Sequence, residues 1–330
     1  MTLPFLNLSL PDKAGDHRYF GQLQGAALAL AAAQISTQHQ GPVLLVTKDS
    51  QMALRLAQEI REFSALPLEL FPDWETLPYD SFSPHQDIIS ERLSTLYRLP
   101  TLQQGLLIMP VNTLMQRVCP REFLLSHALV VKKGERLSLS KLRGQLEQAG
   151  YRPAEQVMEH GEFATRGALL DLFPMGSQTP FRLDFFDDEI DSIRTFDPDS
   201  QRTLEEVDHI NLLPAREFPT DKNAIEGFRS RWREQFEIRR DPEHVYQQVS
   251  KGTLPAGIEY WQPLFFEQMT TLFDHLPGNT LIVSVGDIQD AATRFYADAE
   301  HRYHDRGVDP MRPLLHRPFS GNVWMNSMPT

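Results

Sequence analysis

Residues 21–35, GQLQGAALALAAAQI, place a glycine-led turn ahead of an alanine-rich stretch near the start of the chain. A nucleotide-binding α/β protein carries its phosphate loop at such a position. That chemistry needs G-x-x-x-x-G-K-[ST]: backbone amides cradle the phosphates, the lysine neutralises them, and the hydroxyl holds Mg²⁺. Here Gly25 is followed by Ala26 and Ala27, and no Gly-Lys dipeptide occurs anywhere in the chain. The metal-holding acid expected at the end of a buried strand is also missing. The only Asp-Glu dipeptide, Asp188-Glu189, reads as a polar turn, and the buried run TLIVSV ends in Val285-Gly286. Neither half of a nucleoside-triphosphate site is present.

Other chemistry-bearing groups read as structural. His301, His304 and Asp305 have a spacing that could hold a metal on a helix, but no further ligand accompanies them, so a solvated face is expected. The acids Asp184, Asp187, Asp188, Glu189 and Asp191 lack the glycine-punctuated loop of a calcium site and read as a solvated hairpin tip. H-E-x-x-H, G-x-S-x-G and G-x-G-x-x-G are all absent. The single cysteine, Cys119, rules out a disulfide framework or cysteine zinc cluster and reads as a small buried hydrophobe. No catalytic residue, metal or cofactor is expected.

FRLDFF (181–186) resists so plain a reading. Side chains alternate across a strand, so Leu183 and Phe185 share one face while Arg182, Asp184 and Phe186 share the other. An aromatic beside an arginine on a solvent face is the composition of a protein–protein hot spot.

The elements that must position these residues follow from periodicity. PVLLVTKD (42–49) and LLIMPV (106–111) are continuous apolar runs, as in strands covered on both faces. Between them lie a helix over 50–64 with Ser50 as N-cap and Ala53, Leu56, Ala57, Ile60 and Phe63 inward, a strand LELF (68–71), and a helix over 89–99. This alternation predicts a parallel sheet with crossover helices. From about 120 the pattern changes. One helix with Leu142, Leu146 and Ala149 inward and Gly150 as its stop precedes short strands at 167–173, 181–186 and 190–196, the last two joined as a hairpin. After residue 214 the chain returns to helices and to the buried strand 280–285. The tail HRPFSGNVWMNSMPT has no periodicity and reads as a frameshifted or appended end, with no function assigned.

The 330 residues predict two or three domains of an ordinary globular protein, with 41% hydrophobic and 23% charged residues. A formal charge of −12 weighs against a surface built for general DNA or membrane binding. The N-terminus lacks a targeting pattern, and no apolar stretch approaches the roughly 18 residues of a membrane span, so a cytoplasmic location is expected.

Taken together, DWETLPYDSFSPHQDIISERLSTLYRLP, VNTLMQRVCP, EHGEFATRGALLDLFPMGS, FRLDFFDDEIDSIRTFDPDSQRT, GIEYWQPLFF and LFDHLPGNTLIVSVGD resemble the N-terminal module of the bacterial transcription-repair coupling factor family, Mfd. That module is similar in turn to the excinuclease subunit UvrB. The resemblance implies a degenerate RecA-like helicase domain in two pieces, 1–119 and 215–330, with an inserted small α+β UvrA-binding domain at 120–214 and an atypical tail at 316–330. In the UvrB relatives the 21–28 region carries the phosphate loop and the 280–286 strand ends in Asp-Glu. Gly25, Ala26, Ala27, Val285 and Gly286 would then mark a nucleotide site that has lost its chemistry. YDSFSPHQDIISER is likewise far too short for UvrB's DNA-clamping hairpin.

What the resemblance leaves is a surface for the damage-recognition ATPase UvrA, carried by Arg166, Arg182 and Phe186. It implies a non-catalytic recruitment module of transcription-coupled nucleotide excision repair. RNA polymerase and DNA would be reached only through other parts of the longer family member, which is an ATP-dependent DNA translocase. A UvrB-like ATP-dependent helicase is the alternative, and a DNA-binding repair protein a third reading. The missing lysine weighs against the former, the charge and missing hairpin against the latter.

Overall fold

The strands PVLLVT (β1, Pro42–Thr47) and GLLIMP (β3, Gly105–Pro110) are apolar almost throughout and buried at every position. In the computed structural model, which describes residues 6, 8–13 and 15–316, they form the centre of a four-stranded parallel sheet. Its order is β12-β1-β3-β2, with β2 at Leu68–Leu70 and β12 at Leu281–Val285. One face is covered by α1 (Ala26–Gln38) and α2 (Ser50–Arg61), whose Ala29, Ala32, Ala33, Ala53, Leu56 and Ile60 pack on Leu45, Leu106 and Ile108. Small side chains on α1 let that helix lie close to the sheet. The other face, through Leu44, Val46, Leu107 and Met109, meets Ile89, Leu93 and Leu96 of α3 (Gln86–Arg98) and Val111 and Leu114 of α4 (Val111–Leu114).

Three details differ from the sequence expectation. The N-cap of α2 is Asp49, whose carboxylate accepts from the Met52 amide at 2.7 Å, and the helix ends at Arg61, leaving Phe63 exposed. An ionised acceptor serves the free amides and the helix dipole better than the neighbouring hydroxyl. Helix α3 begins at Gln86 because the His85 ring accepts from the Asp87 amide, a cap that apolar periodicity does not report. Strand β12 is an edge strand. It alternates in exposure, with Ile282 51% exposed, because the face that Ile282 and Ser284 share with Leu44 and Val46 is left open at this edge.

The chain leaves this layer through α5 (Arg121–His127) and enters the insertion at β4 (Leu129–Lys132). Helix α6 (Leu139–Gln148) follows, stopped at Gly150 with φ +88°. A six-stranded sheet then runs β10-β9-β8-β7-β6-β5 in spatial order. Its strands are β5 (Arg152–Pro153), β6 (Glu162–Arg166), β7 (Leu169–Leu172), β8 (Phe181–Phe186), β9 (Glu189–Phe196) and β10 (Thr203–Glu206). The exit strand β11 (His209–Leu212) pairs antiparallel with β4, so entry and exit lie side by side, as an insertion requires. Helices α7 (Lys222–Gln235), α8 (Val245–Ser250) and α9 (Ile288–Arg306) complete the chain, with Phe228, Trp232 and Trp261 fully buried beneath them.

Polar contacts seat the insertion on α3. The Gly176 amide donates to Ser90 Oγ at 2.7 Å, and at φ +82° a Cβ on Gly176 would lie 3.2 Å from the Ser94 side chain, so glycine suits both the turn and the approach. His160 meets Asp87 Oδ1 at 2.6 Å and the Ser177 carbonyl at 2.8 Å. Among the described residues no helix is long and apolar enough to cross a membrane. The tail, apart from His316, lies outside the described residues.

Candidate functional site

Ladder partners in a sheet point to the same side, so the registers of β6 to β9 assign the paired side chains to faces, with a bulge that leaves Asp191 of β9 unpaired between Ser192 and Ile190. Leu170, Leu183 and Ile193 stand opposite one another, and with Phe163, Leu172 and Phe185 they join the buried core that includes Leu142 and Leu146 of α6. The alternate positions form two cross-strand rows on the outer face. Ala164, Asp171, Arg182 and Arg194 make one; Arg166, Leu169, Asp184 and Ser192 make the next. Phe186, opposite Glu189, stands beyond them at the hairpin turn. Arg166 thus lies on the face of Arg182 and Phe186, although Gly167 at φ +62° prevents parity alone from assigning it. All three expected residues share one surface.

They differ in exposure. Phe186 is 75% exposed, since it stands at the open end of the face with polar Asp184 as its same-strand neighbour. Arg166 is exposed and donates one bond to the Glu155 carbonyl at 2.9 Å. Arg182 is not a free surface arginine, and here the expectation from alternation needs correction. Its Nε and Nη2 donate to the two oxygens of Asp171 at 2.7 and 2.8 Å, with side-chain exposures of 17% and 5%. Its guanidinium lies 4.9 Å over the Phe196 ring, and Nη1 donates to the Gln201 carbonyl. The cause is a second small core on this face, Val157, Ala164, Phe173 and Phe196, which covers one end of it. The bonds to Asp171 hold the guanidinium more firmly in its charged form than an isolated arginine.

Asp171 carried no role in the sequence reading. The signal for it was present: a lone acid within GALLDLF must find a cation or stay neutral once buried. At the hairpin, Asp187 takes φ +53° between β8 and β9, as a two-residue polar turn demands, and Asp184 pairs with Arg194 at 3.5 Å.

The expected nucleotide position has its own geometry. Three residues, His39 to Gly41, link α1 to β1, so the helix runs back along the strand and its N-terminus lies at the C-terminal ends of the parallel strands. Gly25 caps it at φ +54° with no side-chain cap, and Thr47 of β1 pairs with Val285 beside Gly286. Neither a lysine nor an acid stands among Gly25, Ala26, Ala27, Val285 and Gly286. His301, His304 and Asp305 point to solvent, where His301 pairs with Asp305 and His304 with Glu300. Cys119 is buried, which pushes its thiol pKa well up and leaves it unreactive.

Comparison with known proteins places this surface in context. Residues 129–218 match the UvrB interaction domain family. The transcription-repair-coupling factor of Escherichia coli K12 is 68% identical over 308 residues, covering 93% of this chain and 27% of its own length. That of Haemophilus influenzae is 58% identical over 99% of the chain and 28% of its own length. That of Bacillus subtilis is 26% identical over 79% of the chain. The chain spans about a quarter of the length of the curated relatives it matches.

Proposed function

The chain belongs with the bacterial transcription-repair-coupling factors and carries a UvrB interaction domain at residues 129–218, and from that premise we propose that it is a non-catalytic docking module of transcription-coupled nucleotide excision repair that binds the damage-recognition subunit UvrA. The observation that carries this reading is Phe186. A phenylalanine 75% exposed on an ordered strand, with an exposed arginine on the same sheet face, is an apolar anchor with a partner-directed charge beside it. Burying such a ring contributes roughly 2 kcal/mol from area alone.

The rest of the molecule acts in this reading as a scaffold. The parallel sheet is a degenerate RecA-like domain in two pieces, 1–119 and 215–330, and the insertion at 120–214 presents the surface. Without a lysine at the α1 N-terminus or an acid at the end of β12, the electrostatic stabilisation of phosphoryl transfer is lost. ATP-driven translocation, and contacts with RNA polymerase and DNA, belong to the remaining three quarters of the longer family members. The site of action is the cytoplasm.

Competition tests this reading. Purified chain should bind UvrA in titration calorimetry, and UvrB should displace it. Simultaneous binding of both to one UvrA site, or no binding of the chain, would sink it.

A further inference from the structure

We propose that Asp171 is a positioning residue for the docking surface: it converts Arg182 from a flexible surface arginine into a rigid donor whose remaining N–H groups are aimed at the partner. This rests on the UvrA-docking reading above.

Arginine has five N–H donors in a planar fork. Asp171 takes Nε–H and one Nη2–H through two bonds of 2.7 and 2.8 Å. The Phe196 ring beneath, 4.9 Å from the guanidinium carbon, fixes the plane, and the Gln201 carbonyl takes one Nη1–H at 3.4 Å. One hydrogen each on Nη1 and Nη2 remains. Both sit on the terminal nitrogens of the fork, which can donate to a carboxylate. Asp171 is nearly inaccessible, so its effect passes through Arg182. A free arginine would lose rotamer freedom on binding, whereas this one has lost it on folding.

The register supports the same assignment. Asp171 and Arg182 are direct ladder partners, so the pair is set by the β7–β8 pairing itself and carries no slack from a loop. Phe186 lies on the same strand and face as Arg182, two alternations away. The aromatic anchor and the fork are therefore held in one rigid frame.

A double-mutant cycle in affinity for UvrA tests this, with melting temperature followed in parallel. Asp171→Asn keeps the size and one acceptor but frees the fork. It should weaken binding about tenfold, and in combination with Arg182→Ala it should add almost nothing, whereas Phe186→Ala should add in full. A merely structural acid would lower the melting temperature of both Asp171 variants and leave the affinity of the folded protein alone. Asp171→Glu keeps the charge and the ion pair while displacing the fork by a methylene, so it reports even if the asparagine variant folds poorly; it should also weaken binding. Wild-type affinity in both Asp171 variants, with Phe186→Ala impaired, overturns the positioning role and leaves the docking reading intact. Wild-type affinity in Phe186→Ala overturns the docking reading, and this inference with it.

Discussion

Arg92 on α3 and Glu217, five residues past the exit strand β11, form an ion pair in which the side chains are 0% and 1% exposed. Arg92 also donates to the Pro72 carbonyl and lies over the Phe71 and Trp74 rings, while Gln262 donates to the Glu217 backbone carbonyl. Four separate segments of the chain therefore converge on one buried charge pair. Removing one partner leaves the other charge buried. Arg92→Ala should cost about 3–5 kcal/mol in urea unfolding, while Arg92→Met with Glu217→Leu should recover most of that loss. Equal stability of the single and double variants would show that the pair is not coupled.

Phe186→Ala should lower UvrA affinity by roughly thirtyfold, on the order of 2 kcal/mol, without moving the melting temperature. The ring has little to lose in the free protein because most of it faces water. Calorimetry with UvrA and a thermal melt on the same sample separate the two effects.

Arg182→Ala should behave differently, weakening both binding and the fold. A side chain fully exposed on a solvent face could be removed with little effect on the fold; Arg182 is not such a side chain. With Asp171 at 5% exposure and both its oxygens bonded to Arg182, the change strands a buried carboxylate and should cost about 3 kcal/mol. Arg182→Lys should fall between, since an ammonium keeps the charge but not the two parallel bonds. An Arg182→Ala variant as stable as wild type would place the ion pair among those of no consequence.

Millimolar ATP with Mg²⁺ should leave the melting temperature unchanged. A ligand that binds only the native state raises it by mass action, and Gly25-Ala26-Ala27 and Val285-Gly286 supply neither a phosphate anchor nor a metal holder. A reproducible rise of several degrees would count against a lost nucleotide site.

Acidification should destabilise the protein below pH about 6.5, the ordinary imidazole value. Burial lowers the pKa of His275, whose Nε2 donates to the Cys119 carbonyl at 3.0 Å, and burial lowers that of His244. In that window the unfolded chain binds protons that the native state refuses, so stability rises with pH and is lost as pH falls. His275→Gln, which keeps a donor for the Cys119 carbonyl, should flatten the dependence by up to about 1.4 kcal/mol per pH unit. An unchanged slope in chemical denaturation between pH 7 and 5 would remove His275 from the account.

Features that depend on local pattern, or on the presence or absence of a residue type, are legible from the residues alone. The continuous apolar runs at 42–49 and 106–111 are expected to be buried strands, and strands buried at every position occupy Pro42–Thr47 and Gly105–Pro110. The hairpin at Asp187-Asp188 and the opposite faces of Leu183 and Phe186 follow from a period of two and a polar turn. A missing lysine is legible without coordinates. Which side of a strand is covered depends on long-range packing, because alternation separates two faces and cannot say what lies against either. Arg182 and Phe186 have the same parity, yet Val157, Ala164, Phe173 and Phe196 close over one end of their shared face. Asp171 and Arg182 lie eleven residues apart, and only the β7–β8 register makes them partners. The same limit hid the exposed edge of β12, whose apolar composition matches a central strand; its place in the sheet was set by where the chain returned after the insertion.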